Sequence, residues 1–141
     1  TDLIQFTGRA MRFENVNGDD ILLYPGVAVI PRVDGAFALI DIRELQISAE
    51  HRRFQEEDGV PKDTRIDGHT WAKTNKNGSP DRRFKDNYQI PICIYGNITF
   101  HSQTGLTEEY MVSNADAAQA FAETVQRYQT SLTESEALVQ A

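Results

Sequence analysis

The 141-residue chain holds a single cysteine, Cys93, so an internal disulfide and a zinc site built on cysteines are both excluded. Cys93 lies in the apolar run Ile92-Cys93-Ile94-Tyr95, where a thiol serves as a small buried hydrophobe. No apolar stretch approaches the ~18 residues that a membrane-spanning helix needs. A basic leader followed by an apolar segment is also missing, so no signal peptide is expected, and the low cysteine usage fits a reducing, cytoplasmic setting. Cations are the scarce charge, 14 Lys and Arg against 21 Asp and Glu. A net charge of −7 argues against general affinity for nucleic acid or anionic lipid. The chain has no Gly-rich phosphate loop, no plausible Ser-His-Asp set and no paired carboxylates in a defined context. No repeat or low-complexity tract interrupts it. Catalytic residues, metal ligands and cofactors are therefore all assigned as none.

What is present suits one globular domain: 40% hydrophobic and 25% charged residues. Thr1 in place of a methionine is read as a chain processed or cut from a longer protein. The segment from Asp2 to Phe13 fits a short helix or an irregular strand equally well. Residues 1–20 are expected to form an N-terminal extension packed on the domain, closed by a tight turn at Asn17-Gly18. Strands are expected over Ile21–Ile30, with a bulge or edge position at Pro25-Gly26, and over Ala36–Ile42 after an Asp34-Gly35 turn. A further strand is expected from Glu44 to Phe54. Residues 56–87 read as a long loop insertion in which Trp71 opens a short strand turning at Asn77-Gly78. Ile90–His101 is the clearest strand, with a break of alternation at Gly96-Asn97. It turns at Gln103-Thr104-Gly105 into Leu106–Val112. Asn97-Ile98-Thr99 matches a glycosylation acceptor by chance, since it falls in a buried strand.

The C-terminal element is an amphipathic helix from about Ala115 to about Ser131. Ser113-x-x-Asp116 supplies its N-terminal cap, and the stripe Ala118, Phe121, Val125, Tyr128 and Leu132 faces the core. Glu123, Gln126, Arg127 and Gln129 are assigned to the wet side. Residues 132–141 are expected to be a tail or a second short helix beginning at Thr133-x-x-Glu136.

Ile21 to Ile30, followed by Phe37-Ala-Leu-Ile-Asp-Ile-Arg-Glu-Leu45, is similar to the opening of the pleckstrin-homology-like superfold, with its bacterial and GRAM-like members. Ile92 to Val112 and Ser113-Asn-Ala-Asp-Ala-Ala-Gln-Ala-Phe121 resemble that superfold's final hairpin and closing helix. The resemblance spans roughly Ile21 to Tyr128, within an expected domain of residues 21–131. It implies a mainly β, α+β fold, a small bent antiparallel barrel or two-sheet sandwich capped by the helix. It also implies binding of proteins, peptides or phosphoinositides rather than shared chemistry. Lipid-binding members carry a Lys/Arg cluster on the first hairpin. Here Ile30-Pro31-Arg32-Val33-Asp34-Gly35 has one arginine, so no phosphoinositide residues carry over.

Charge is unevenly placed, with nine of the 14 cations between His51 and Asp86. Asp81-Arg82-Arg83-Phe84-Lys85-Asp86 joins guanidinium forks to an aromatic, the composition of an interface hot spot. Trp71, Arg82, Arg83, Phe84 and Lys85 are accordingly the candidate partner-binding residues. The competing expectation pairs Arg82 and Arg83 with Asp67 or Asp81 and uses Trp71 and Phe84 to pin the loop. His51-Arg52-Arg53-Phe54 is a second basic group, expected to be neutralised by Glu56, Glu57 and Asp58. Glu108-Glu109 reads as solvated charge. Gly68-His69-Thr70-Trp71 faintly matches half of an HNH nuclease, and Pro80-Asp81 half of another nuclease motif. His51 and His101 fall in strands, and the paired Glu-x-Lys is absent.

The expected function is a non-catalytic binding or scaffolding module of a larger bacterial protein. It would engage a protein partner or a neighbouring domain of its own chain, with homo-oligomerisation as a further possibility. Two alternatives stand beside it: a small metal-dependent nuclease or hydrolase using His69, and a membrane-surface lipid-binding module.

Overall fold

The computed structural model describes residues 8–140. Two antiparallel sheets and one long C-terminal helix make up the chain, and the described strands close no barrel. Two compact units share them. Of the described residues one takes 8–47, 99–110 and 123–140, and the other takes Ser48–Ile98 and Met111–Ala122.

In the first unit β1 (Met11–Phe13), β2 (Ile21–Tyr24), β3 (Val27–Pro31) and β4 (Phe37–Asp41) form a meander in sequence order. Pro25-Gly26 is the tight turn of a hairpin, since Tyr24 pairs with Val27. Proline presets the first central position of such a turn, and Gly26 takes φ 80 at the second. The expected continuous strand over Ile21–Ile30 is thus two strands. Pairing puts Ile21, Ala28, Ile30 and Ile40 on one face, all buried. Phe13 adds an edge-on contact to the Phe100 ring at 5.0 Å, and Tyr110 meets Phe100 at 5.6 Å.

The loop over residues 14–20 is no tight turn, because Gly18 does not adopt positive φ. Side chains close it instead. Asp20 accepts from the Asn15 amide, while Glu108 accepts from the Asn15 side chain at 2.8 Å and from the Asp19 amide. A Cβ at Gly18 would lie 2.5 Å from the Glu108 carboxylate. Glu108 is therefore a loop anchor rather than solvated charge. Tyr110 donates to the Asp19 carbonyl at 2.8 Å, and burial, aided by Glu108, pushes its hydroxyl up to about 12.

The ladder of β4 ends in a 3-10 turn, Ile42–Glu44, which Asp41 caps through the Arg43 amide. The Arg43 guanidinium holds the Asp41 carboxyl down at about 2. After this turn β5 (Gln46–Gln55) begins two residues later than the expected start at Glu44. In the second sheet β7 (Gln89–His101) is central, with β5 on one side, β6 (Arg65–Trp71) on the other and β8 (Thr107–Val112) also paired to it.

β7 runs through Gly96, which does not take positive φ. A Cβ there would meet Ala118 Cβ at 2.5 Å and Ala115 Cα at 3.1 Å. The glycine lets the helix approach the strand. The break in register belongs to β6, between Ile66 and His69, where Gly68 takes φ 121. On the opposite face of β7, Cys93, Tyr95 and Asn97 are buried, so the sequon side chain is inaccessible. Burial, then the nearby Glu56, pushes the Cys93 thiol up and leaves it unreactive.

The helix α1 runs from Ala115 to Gln140 without interruption. Its cap is Asn114, which accepts from the Ala117 amide at 2.9 Å, and not Ser113. The buried positions are Ala115, Ala118 and Ala122. Val125, Gln129 and Leu132 continue that stripe half-buried, whereas Tyr128 is exposed. Gln129 is half-buried rather than wet, while Gln126 is exposed as expected and still reaches a backbone carbonyl. Gln129 donates to the Ile42 carbonyl at 2.6 Å and to that of Leu45, and Gln126 donates to the Ile47 carbonyl at 2.8 Å. Among the described residues no helix is long and apolar enough to cross a membrane.

A candidate partner-binding hairpin

Residues 72–88, within the second unit, are a framed hairpin rather than a loose loop. Trp71 closes β6 instead of opening a strand, and it pairs with Gln89 of β7. The pairing then continues past the strand end, since the Ala72 amide donates to the Tyr88 carbonyl at 2.8 Å. Asn87 clamps Lys73 from both sides, accepting from its amide at 2.9 Å and donating to its carbonyl at 2.8 Å. Further out, Thr74 bridges Pro80, and the Asn75 amide donates to the Ser79 carbonyl. The tip turns at Asn77-Gly78 with Gly78 at φ 83, as its Asn-Gly signal predicts.

One acid organises the returning strand. Asp81 is 5% exposed, and its amide donates to the Lys73 carbonyl at 3.0 Å. Its carboxylate receives three donors from Arg83: the backbone amide at 3.1 Å, Nε at 3.0 Å and Nη2 at 2.7 Å. The Phe84 amide bonds the Asp81 carbonyl. The Arg83 guanidinium, then its amide, holds the Asp81 carboxyl below the usual carboxylate range. Arg83 thus clamps Asp81 with a side chain that stays 84% exposed.

Arg82, by contrast, is exposed and has no hydrogen bond or ion pair among the described residues. Lys85 and Lys76 are likewise exposed and unpaired. Phe84 is 48% exposed and Tyr88 56% exposed. These two rings line a shallow cleft of about 270 Å³ edged by Lys73, Lys85 and Asp86. Lys73 Nζ sits 5.6 Å above the Phe84 ring centroid, within cation–π range. Of the five candidate residues Arg82, Arg83, Phe84 and Lys85 are exposed; Arg83, Phe84 and Lys85 line this cleft, and Arg82 lines another beside Asn75, Ser79 and Pro80. Trp71 is half-buried at the base and does not line the cleft.

Lys73 and Tyr88 are cleft residues that sequence reasoning did not single out. The signal was present, because a turn at Asn77-Gly78 necessarily folds residues 73–75 onto 79–81.

The second basic group is neutralised by other acids than expected. Arg52 pairs with Glu50 at 2.9 Å and Arg53 with Asp67 at 3.1 Å. Glu56 is taken by the Tyr95 hydroxyl, with the Phe54 ring 5.7 Å from that of Tyr95. Arg32 of the β3–β4 turn pairs with Asp19 at 2.5 Å. His69 is exposed in β6 opposite Pro91. His51 lies 3.8 Å from Asp116, and His101 meets the Thr107 hydroxyl at 3.2 Å. No group of three His, Cys, Asp or Glu among the described residues is arranged to hold a metal ion.

The Asp81 clamp sets a pH dependence. A carboxyl whose folded-state pKa is depressed contributes order that is fully present above its ordinary range, about 4, and is lost as pH falls through the depressed value. The Arg83 amide resonance should therefore hold its position through pH 4 and shift only below it. A shift centred on the ordinary carboxylate range would show that the clamp is not formed.

Compared with known proteins, the chain matches no family model, no curated protein and no solved structure. Its class rests on its own elements: two antiparallel sheets and a C-terminal helix of 26 residues.

Proposed function

We propose that the chain is a non-catalytic, PH-like interaction module of a larger bacterial protein of the cytoplasm, and that it docks a protein partner through the hairpin at residues 73–88. The observation that carries this is the division of labour in the hairpin. Asp81, Arg83 and Asn87 satisfy one another and the backbone, while Arg82, Phe84 and Lys85 stand outward. Such a display is rigid before binding, so little ordering entropy opposes a contact. What supports the PH-like part is the order of elements, antiparallel hairpins followed by one C-terminal helix.

The test is capture of partners by the intact protein and by Arg82→Glu/Lys85→Glu. The variant should lose a protein that the wild type retains, with an unchanged circular dichroism spectrum. Retention by the variant would remove the hairpin from the contact. Arg83 is left untouched, since its replacement would unclamp Asp81.

A second contact mode is favoured by one observation, the edge of β4 that no other described strand pairs. Phe37 is 40% and Leu39 57% exposed there, and an edge strand of this kind accepts another strand along its backbone.

A further inference from the structure

Resting on the hairpin as the docking element, we infer the chemistry of what it takes: an acidic peptide segment that carries an apolar side chain. Residues 73–88 hold five cations and two acids, in a chain whose net charge is −7. The remainder of the chain is therefore more acidic still, and the hairpin is a confined positive site in a negative field. Within it Arg83 and Asp81 cancel. Lys73, Lys76, Arg82 and Lys85 face Asp86 alone among the hairpin's remaining charges, and none of the four makes an ion pair among the described residues.

Four cations on one hairpin fit a short run of carboxylates. Arg82 offers a planar fork to a carboxylate, and Lys85 and Lys73 offer point charges at the cleft mouth. The Phe84 and Tyr88 rings supply apolar surface between them. A leucine- or phenylalanine-sized side chain can bury there while its acidic neighbours meet the cations. A nucleic acid is a poorer occupant. A duplex presents one phosphate per ~1.7 Å of axis, so it runs beyond a footprint of this size and into the field of a chain at −7. An anionic membrane meets the same repulsion over a wider front.

The intact protein would be titrated with four fluorescent probes. They are a peptide of about ten residues alternating glutamate with leucine, the same peptide with glutamine for glutamate, a single-stranded RNA of similar length, and vesicles containing anionic lipid. The glutamate peptide is expected to bind at least ~10-fold tighter than the glutamine peptide. It should also weaken by ~10-fold or more between low and high salt. Arg82→Gln/Lys85→Gln should weaken it by ~10-fold or more, and Phe84→Ala by severalfold. Trp71 is the only tryptophan in the chain and reports the state of the hairpin base without a label on the protein. Equal binding of both peptides, still sensitive to Phe84→Ala, overturns the acidic class and leaves the hairpin as the docking element. Binding of the glutamate peptide that ignores Arg82 and Lys85 overturns the site itself. Tighter binding of RNA or vesicles, or no binding of any probe, overturns the peptide.

Discussion

Phe100→Ala will destabilise the protein by about 3–5 kcal/mol, the range for emptying a fully buried aromatic site. In a domain of this size that lowers the melting temperature by roughly 10–15 °C. Phe100 is the largest side chain with no exposure, and the rings of Phe13 and Tyr110 both rest on it. Those two rings come from β1 and β8, elements that the truncation would leave without a common anchor. Tyr110 also holds the residue 14–20 loop through the Asp19 carbonyl. A secondary effect should follow, with faster amide exchange in that loop. Thermal denaturation followed by circular dichroism checks the first claim. A fall of less than about 3 °C would mean that the site collapses around the smaller side chain, and that Phe100 does not organise the cluster.

Gly96→Val is the second large effect, and its origin is overpacking rather than a void. Even the first carbon of a side chain would sit 2.5 Å from Ala118 Cβ and 3.2 Å from Val112 Cγ2. Neither neighbour is the far end of a flexible chain, so the helix must move away from β7. The expected loss is about 1–3 kcal/mol for one added methyl-sized group, and more for valine. Gly96→Ala should show the smaller loss. A compensating Ala118→Gly, which opens the space on the helix, should recover part of it. If Gly96→Val melts within about 2 °C of wild type, close approach is not the reason for the glycine.

These two positions show how unevenly the fold was legible. The alternation of Ile92, Ile94, Ile98 and Phe100 announced β7 plainly. Gly96 marks only a break of alternation in it, because a glycine needed for its missing Cβ and one needed for positive φ look alike in sequence. The same ambiguity turned Gly18 into a hairpin glycine. Pro25-Gly26 failed in the other direction, its apolar flanks disguising a turn as an irregular strand.

The helix was legible in existence and start, but not in length or in facing. Serine and threonine at 130, 131 and 133 suggested an end and a new cap. Their hydroxyls instead bond carbonyls three or four residues back, as Ser131 does to Tyr128 and Thr133 to Gln129. The buried positions are the alanines Ala115, Ala118 and Ala122, of which Ala115 and Ala118 pack on Gly96, and their small size gives little periodic signal. Gln126 is the solvent-exposed residue its sequence position suggests, but nothing there signals that backbone carbonyls would take the amides of Gln126 and Gln129.

In the hairpin, composition was legible and roles were not. Arg82 and Arg83 are adjacent and identical in type, yet one is exposed without a partner and the other clamps a carboxylate that is 5% exposed. Only the placement of Asp81 separates them.

The central claim is that the displayed cations of the hairpin, and not the basic character of the middle of the chain, make the contact. Two neutralised variants tested side by side address it most directly: Arg82→Gln/Lys85→Gln in the hairpin, and Arg52→Gln/Arg53→Gln in β5, where both arginines already have acid partners. Partner capture should fall at least ~10-fold for the first and by less than twofold for the second, the pattern expected when local contacts rather than summed charge decide binding. Equal losses in the two variants, or a loss confined to the β5 pair, would contradict the account.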